Sequence, residues 1–219
     1  MPSIRVNGQS VVVHTFDVVG TDGVCAGFIG HLGLVSKGGE HVRNDVAVVE
    51  MVPPLDVLGR MTADAVGTAL LSDDETRKIK DYLDRHEGEH KAVQKLSRSN
   101  LDKVYCILPH AKPLEEEDGR YVRTRFSCSG LVFEAYKRAR ILLLDDTRLP
   151  CVDIQLIQDA YPDYSAFLDR DRFRTSMGLT GTGPWPVLLC GYLLAALNRD
   201  GDAIRKSPHV AQSDDAIFG

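Results

Sequence analysis

An α+β domain, with an antiparallel sheet packed against helices, is the fold class that this sequence predicts. Three observations predict it. Short β-prone runs separated by turn residues fill the chain to about Pro53. A capping signal at Ser72 opens a long stretch with apolar residues at helical spacing. A second helical stretch begins at Cys128, with Leu131, Val132, Ala135, Tyr136 and Ala139 on one face. With 219 residues, 43% of them hydrophobic, the chain can bury a core without disulfide or metal staples. We expect one domain over residues 1–200, with a helical insertion at about 55–100 and a flexible tail over 201–219.

Taken in order, Ile4 to Val6 and Val11 to His14 flank Asn7-Gly8, a hairpin turn signal. Gly30 to Val35 reads as a strand, Gly38-Gly39 as a turn, and Val46 to Val52 as a second strand pairing with the first. Leu55 to Leu71 reads as a helix. Ser72 with Glu75 forms a capping box, and Ile79, Tyr82, Leu83, His86, His90 and Val93 follow at helical spacing. Val104 to Leu108 is expected to be a strand, and the polar Pro109 to Gly119 a loop. After Cys128, with Ser127 as N-cap, come a mixed stretch to about Gly183, a Pro184-Trp185-Pro186 turn and an apolar run from Val187 to Leu197. Trp185 and that run read first as core, and otherwise as the lining of an acyl pocket.

Composition excludes several functions. A net charge of −5 with no basic stripe argues against nucleic acid as a partner. The apolar runs are too short to span a bilayer, and the start lacks the charged-then-apolar pattern of a secretory signal, so a cytoplasmic location is expected. Five scattered cysteines, Cys25, Cys106, Cys128, Cys151 and Cys190, with no Cys-x-x-Cys pair, argue against a disulfide framework or a zinc knuckle. Most of them read as small core residues.

Cys128 stands apart. A cysteine in the first turn of a helix meets the positive end of the helix dipole and free backbone amides, and both favour the nucleophilic thiolate. The same amides can hold the oxyanion formed when a thiolate attacks a carbonyl. The flanking Ser127 and Ser129 are the expected oxyanion and substrate-binding positions. The base has to be a histidine, and His31 sits in the strand-like run Gly30-His31-Leu32-Gly33-Leu34-Val35. Glu50 stands among apolar residues in Val48-Val49-Glu50-Met51-Val52, where a carboxylate needs a partner. An imidazole on the neighbouring strand is such a partner and would be held by it in the productive tautomer.

These residues carry a resemblance. Ser127-Cys128-Ser129-Gly130-Leu131-Val132, followed by Ala135-Tyr136-Lys137, resembles the nucleophile helix of NlpC-type papain-fold peptidases. The histidine and the acid come before the cysteine, an order that resembles the circularly permuted branch, with its YiiX-like hydrolases and lecithin:retinol acyltransferase relatives. The matching triad is His31, Glu50 and Cys128. The resemblance implies a permuted papain-like fold, and an acyl-enzyme formed from an amide or ester and passed to water or another acceptor. It implies a small-molecule, lipid or peptide acyl substrate, no cofactor and no metal; the oligomeric state is left open. Ser127 stands where the unpermuted family often has Asp. His41 and Asp45, between the two strands, compete with Glu50 for the third position, and Leu55 to Arg123 matches no motif of the family.

Two alternatives stand beside this reading. His86-Glu87-Gly88-Glu89-His90 matches the His-Glu-x-x-His zinc peptidase pattern, with Glu115, Glu116 or Glu117 as a third ligand. A charge-rich exposed helix with both histidines on its inner stripe explains the same residues. The other alternative is a catalytically inactive papain-like binding domain.

Overall fold

A computed structural model describes residues 4–6, 9–25, 27–41, 45–91, 93, 98–116, 118–161 and 164–218. The strands are β1 (Ile4–Arg5), β2 (Val11–Val13), β3 (Val18–Asp22), β4 (Ile29–Val35), β5 (Gly39–His41), β6 (Asp45–Met51), β7 (Leu55–Thr62), β8 (Ala65–Gly67), β9 (Ala111–Glu115) and β10 (Tyr121–Phe126). The helices are α1 (Asp73–Lys91), α2 (Cys128–Arg138), α3 (Ile154–Ala160), α4 (Ser165–Leu168), α5 (Asp171–Ser176), α6 (Cys190–Leu197) and α7 (Gly201–Lys206).

A six-stranded antiparallel sheet, in the order β1-β8-β3-β4-β6-β7, carries the fold. Its strands alternate between two buried faces, as period-2 geometry requires. Leu32, Leu34, Val49 and Met51 join the large core with Leu131, Val132 and Tyr136 of α2 and Leu193 and Leu194 of α6. Val19, Val35, Val46, Val48 and Met61 form a smaller second core with Val11 and Val13 of β2. The expected α+β class and the β4–β6 pairing hold. Ser72 and Glu75 form the expected capping box at α1: Ser72 N–H donates to Glu75 Oε2 at 2.8 Å and Glu75 N–H to Ser72 Oγ at 3.4 Å.

Four expectations are corrected. Residues 55–67 are strands β7 and β8, so the helical part of the middle begins only at Asp73. Along β7, Asp56, Leu58, Arg60 and Thr62 face out and Leu55, Gly59 and Met61 face in; Leu58, 87% exposed, disguised that alternation. The proposed first hairpin does not form: β1 pairs with β8 and β2 with β5, because burial of Val11 and Val13 on the second core outweighs a local turn preference. Asn7-Gly8 itself lies outside the described residues. Val104 to Leu108 contributes only a bridge from Tyr105 to Phe126, whereas Ala111–Glu115, expected as loop, is a strand paired with the β-prone β10. The tail is not loose. Ile204, Ala216 and Phe218 are buried, Phe218 N–H donates to Gly27 O at 2.9 Å, and Arg205 pairs with Glu75.

Candidate active site

The sheet brings His31 and Glu50 together. Gly33 pairs with Glu50 across β4 and β6, and His31 lies two residues along β4, so the two side chains are diagonal neighbours on one side of the pleat. Two glycines open the space they use. Gly33 puts no side chain opposite Glu50, and a Cβ at Gly59 on β7 would stand 2.2 Å from Glu50 Oε1. Glu50 is 7% exposed, and its Oε2 lies 2.8 Å from His31 Nε2. That contact supplies the partner a buried carboxylate requires.

Cys128 is delivered by the start of α2. Ser127 is the N-cap, its Oγ accepting from Gly130 N–H at 2.9 Å. The helix start meets β4 where β6 no longer covers it, since β6 pairs with β4 only along Gly33–Val35. Leu32, just beyond, stands opposite Gly20 of β3, and Gly20 turns its own carbonyl to Asp64 N–H. In an antiparallel ladder this makes Gly20–Leu32 a non-hydrogen-bonded pair, so Leu32 N–H faces away from β3. It donates to the Cys128 sulfur.

The charges follow from these contacts. Burial alone would lower the proton affinity of His31. Hydrogen bonds to Cys128 and Glu50, reinforced by their negative charge, override it and push the pKa up to about 10. With Nε2 taken by Glu50, Nδ1 is the nitrogen left for the thiol. The Cys128 thiol is held well below its ordinary value, first by a hydrogen bond from Cys190, then by His31 and Leu32 N–H, all acting against burial. Cys190 is driven up by the same contact and by burial. The two sulfurs are 3.6 Å apart. Only Cys128 also faces the imidazolium, so Cys128 is the thiolate and Cys190 the donor.

A cleft of about 360 Å³ opens onto Cys128 and His31 and is walled by Met51, Tyr105, Tyr161 and Tyr164. Burial raises the hydroxyl pKa of Tyr105 and Tyr161, and the nearby Cys128 charge adds to it, so both rings stay neutral.

The other sequence-predicted residues sort clearly. The hydroxyls of Ser127 and Ser129 are wholly buried and do not face the cleft. Ser127 caps α2, and Ser129 Oγ donates to Leu188 O at 2.6 Å. Asp45 is bound by Arg60 at 2.6 Å, toward the end of β6 away from Glu50, and the backbone of His41 pairs with Val11 in a separate two-stranded ribbon. Trp185 is core, its indole N–H donating to Thr180 O.

Among the described residues the geometry gives the zinc pattern no support, and Glu117, one of the expected third ligands, lies outside them. His90 uses both ring nitrogens, Nδ1 accepting from Leu55 N–H at 3.2 Å and Nε2 donating to Thr124 O at 2.8 Å. His86 Nδ1 lies 2.8 Å from Glu89, and Glu87 pairs with Lys91. Among the described residues no group of three His, Cys, Asp or Glu side chains could hold a metal ion, and no helix is long and apolar enough to cross a membrane.

Sequence reading missed Cys190, which it placed in the core, together with Leu32 N–H and the three tyrosines. Cys190 did carry one signal, since it opens the apolar helix that follows the Pro184-Trp185-Pro186 turn. No family model, curated protein or solved structure matches this chain.

Proposed function

We propose that this chain is a cysteine-dependent hydrolase or acyltransferase that acts on an amide or ester carbonyl through Cys128, His31 and Glu50. We also read the sheet with α2 as a papain-like fold in permuted order, which the chain order of histidine, acid and then helix-start cysteine supports. One observation carries the reading: His31, bonded through Nε2 to a buried carboxylate, interacts with the helix-start thiol of Cys128 in the same cleft. That arrangement matches the needs of an activated thiol nucleophile.

The Cys128 thiolate attacks the carbonyl carbon, and negative charge moves to the carbonyl oxygen. In the first turn of α2, Gly130 N–H is taken by Ser127 Oγ, which leaves the amides of Cys128 and Ser129 to receive that oxyanion. The imidazolium of His31 gives its proton to the leaving amine or alcohol as the thioester forms. The neutral imidazole then takes a proton from water or another acceptor as that molecule attacks the thioester. Glu50 holds the ring in place and stabilises its charged form. Among the described residues the cleft is walled by three tyrosines and Met51, with Asp22 as its one acidic lining residue and no lysine or arginine, which favours a substrate that carries no negative charge and is apolar beside the scissile carbonyl.

The test is site-by-site alkylation with iodoacetamide, read by mass spectrometry, beside a panel of chromogenic esters and amides. Cys128 should react far faster than Cys25, Cys106 or Cys151 near neutral pH and slow in His31→Ala. Turnover of at least one substrate should vanish in Cys128→Ser. Equal reactivity across the cysteines would sink the proposal. Fast alkylation with no turnover of any acyl compound would point to the inactive binding domain.

A further inference from the structure

Cys190 makes and breaks no bond in the acyl-transfer steps, yet its sulfur lies 3.6 Å from that of Cys128. Each cysteine is the first residue of its helix, Cys128 of α2 and Cys190 of α6, so two helix starts converge on one sulfur pair. Ser129 fixes the convergence: its hydroxyl, one residue after Cys128, donates at 2.6 Å to the carbonyl of Leu188, two residues before Cys190. Both residues at this bond are buried, so the two sulfurs are held at short range by the fold. A disulfide needs about 2.05 Å between sulfurs, so roughly 1.5 Å of side-chain rotation separates the pair from a bond. Only Cys128 lines the cleft; Cys190 lies behind it.

We propose that Cys128 and Cys190 form a site of reversible oxidation, at which hydrogen peroxide entering the cleft converts the pair to an intramolecular disulfide. The proposal rests on Cys128 being the reactive thiolate, but not on any acyl substrate. In the first step the Cys128 thiolate attacks one peroxide oxygen. The S–O bond forms, the O–O bond breaks, and the departing hydroxide takes the imidazolium proton of His31 and leaves as water. Cys128 is then a sulfenic acid. In the second step the Cys190 sulfur attacks the Cys128 sulfur. The S–S bond forms, the S–O bond breaks, and the oxygen leaves as a second water, carrying its own proton and that of the Cys190 thiol. The two sulfurs lose two electrons in all, and the peroxide gains them. A dithiol such as dithiothreitol reverses the change by exchange. Placing the resolving cysteine beside the nucleophile also protects Cys128 from further, irreversible oxidation.

The experiment treats the reduced full-length protein with hydrogen peroxide, then maps peptides without reduction. The expected product is a chain lighter by two hydrogens, with the Cys128 and Cys190 peptides linked. Iodoacetamide labelling of Cys128 should fall at least about tenfold and return with dithiothreitol. In Cys190→Ala the link should be absent and dimedone should capture a sulfenic acid at Cys128. Should Cys190→Ala fold poorly, the wild-type link and its reversal decide the matter alone. A Cys128 that alkylates fast but goes to sulfinic acid beside an intact Cys190 thiol would overturn the oxidation site and leave the nucleophile standing. A Cys128 that alkylates no faster than Cys25 or Cys151 would overturn both.

Discussion

Replacing Glu50 by Gln removes one negative charge and changes almost no volume, so it isolates what the carboxylate does for His31. The carboxylate is buried and 2.8 Å from Nε2, and it shares with Cys128 the work of raising the imidazole pKa to about 10. A hydrogen bond to a charged group contributes about 1.5–3 kcal/mol, and one pKa unit corresponds to about 1.4 kcal/mol. The expected change is therefore a fall of ~1–2 units in the His31 midpoint. The rate of acyl transfer should fall by about 10- to 100-fold. The assay is an NMR titration of the His31 ring proton, identified by its loss in His31→Ala. Stability carries the same sign. A histidine whose folded pKa lies above its ordinary value stabilises the native state fully below about pH 6.5. That contribution disappears as pH rises through about 10. A wild-type midpoint near 6.5, or one near 10 that Glu50→Gln leaves unmoved, would refute the assigned role of Glu50.

Other perturbations test neighbouring parts of the site. In His31→Ala, Cys128 loses its imidazolium partner but keeps the hydrogen bond from Cys190, so its thiol should drift upward and its alkylation near pH 7 should slow by up to roughly 30-fold, the limit set by an ordinary thiol. Gly59→Ala should act on Glu50 from behind. The new Cβ would stand 2.2 Å from Oε1, so the carboxylate must move, and the His31 midpoint should fall as in Glu50→Gln at a stability cost of ~1–3 kcal/mol. His90→Ala strands the amide of Leu55 and the carbonyl of Thr124, which should cost about 2–5 kcal/mol in denaturant unfolding while Cys128 reactivity is unchanged. A chelator should alter neither; activity lost to EDTA and restored by zinc would revive the metal reading.

What could be read from the sequence was what depends on near neighbours. Cys128 announced itself because helix start, N-cap and apolar face all lie within a dozen residues, and Ser127 does cap α2. His31 and Glu50 were legible because each is a polar residue in a strand too apolar to tolerate it unpartnered, and the partner of each is the other. β7 was misread because Leu58, on the exposed face, replaced the polar residue that period-2 alternation needs there. The first hairpin was misread because Val11 and Val13 gain more from the second core than a local turn could offer.

Cys190 was hard to read for a different reason: it is a small residue entering an apolar helix, and its place at the helix start is the one feature of its own segment that separates it from packing. Its relation to Cys128 comes from tertiary placement, through Ser129 and Leu188. The same bond explains why Ser129, read from sequence as a substrate contact, turns inward. Its hydroxyl holds α2 to the approach of α6, which fixes both the thiolate beside His31 and the second sulfur behind it. Ser129→Ala should therefore loosen two features at once, lowering stability by about 0.5–1.5 kcal/mol for the lost hydrogen bond, since Tyr161 O–H still donates to Leu188 O at 3.4 Å, and slowing Cys128–Cys190 linkage under peroxide more than it slows alkylation of Cys128. Equal slowing of the two would mean that Ser129 positions only the nucleophile, and that the approach of Cys190 is set elsewhere in the core.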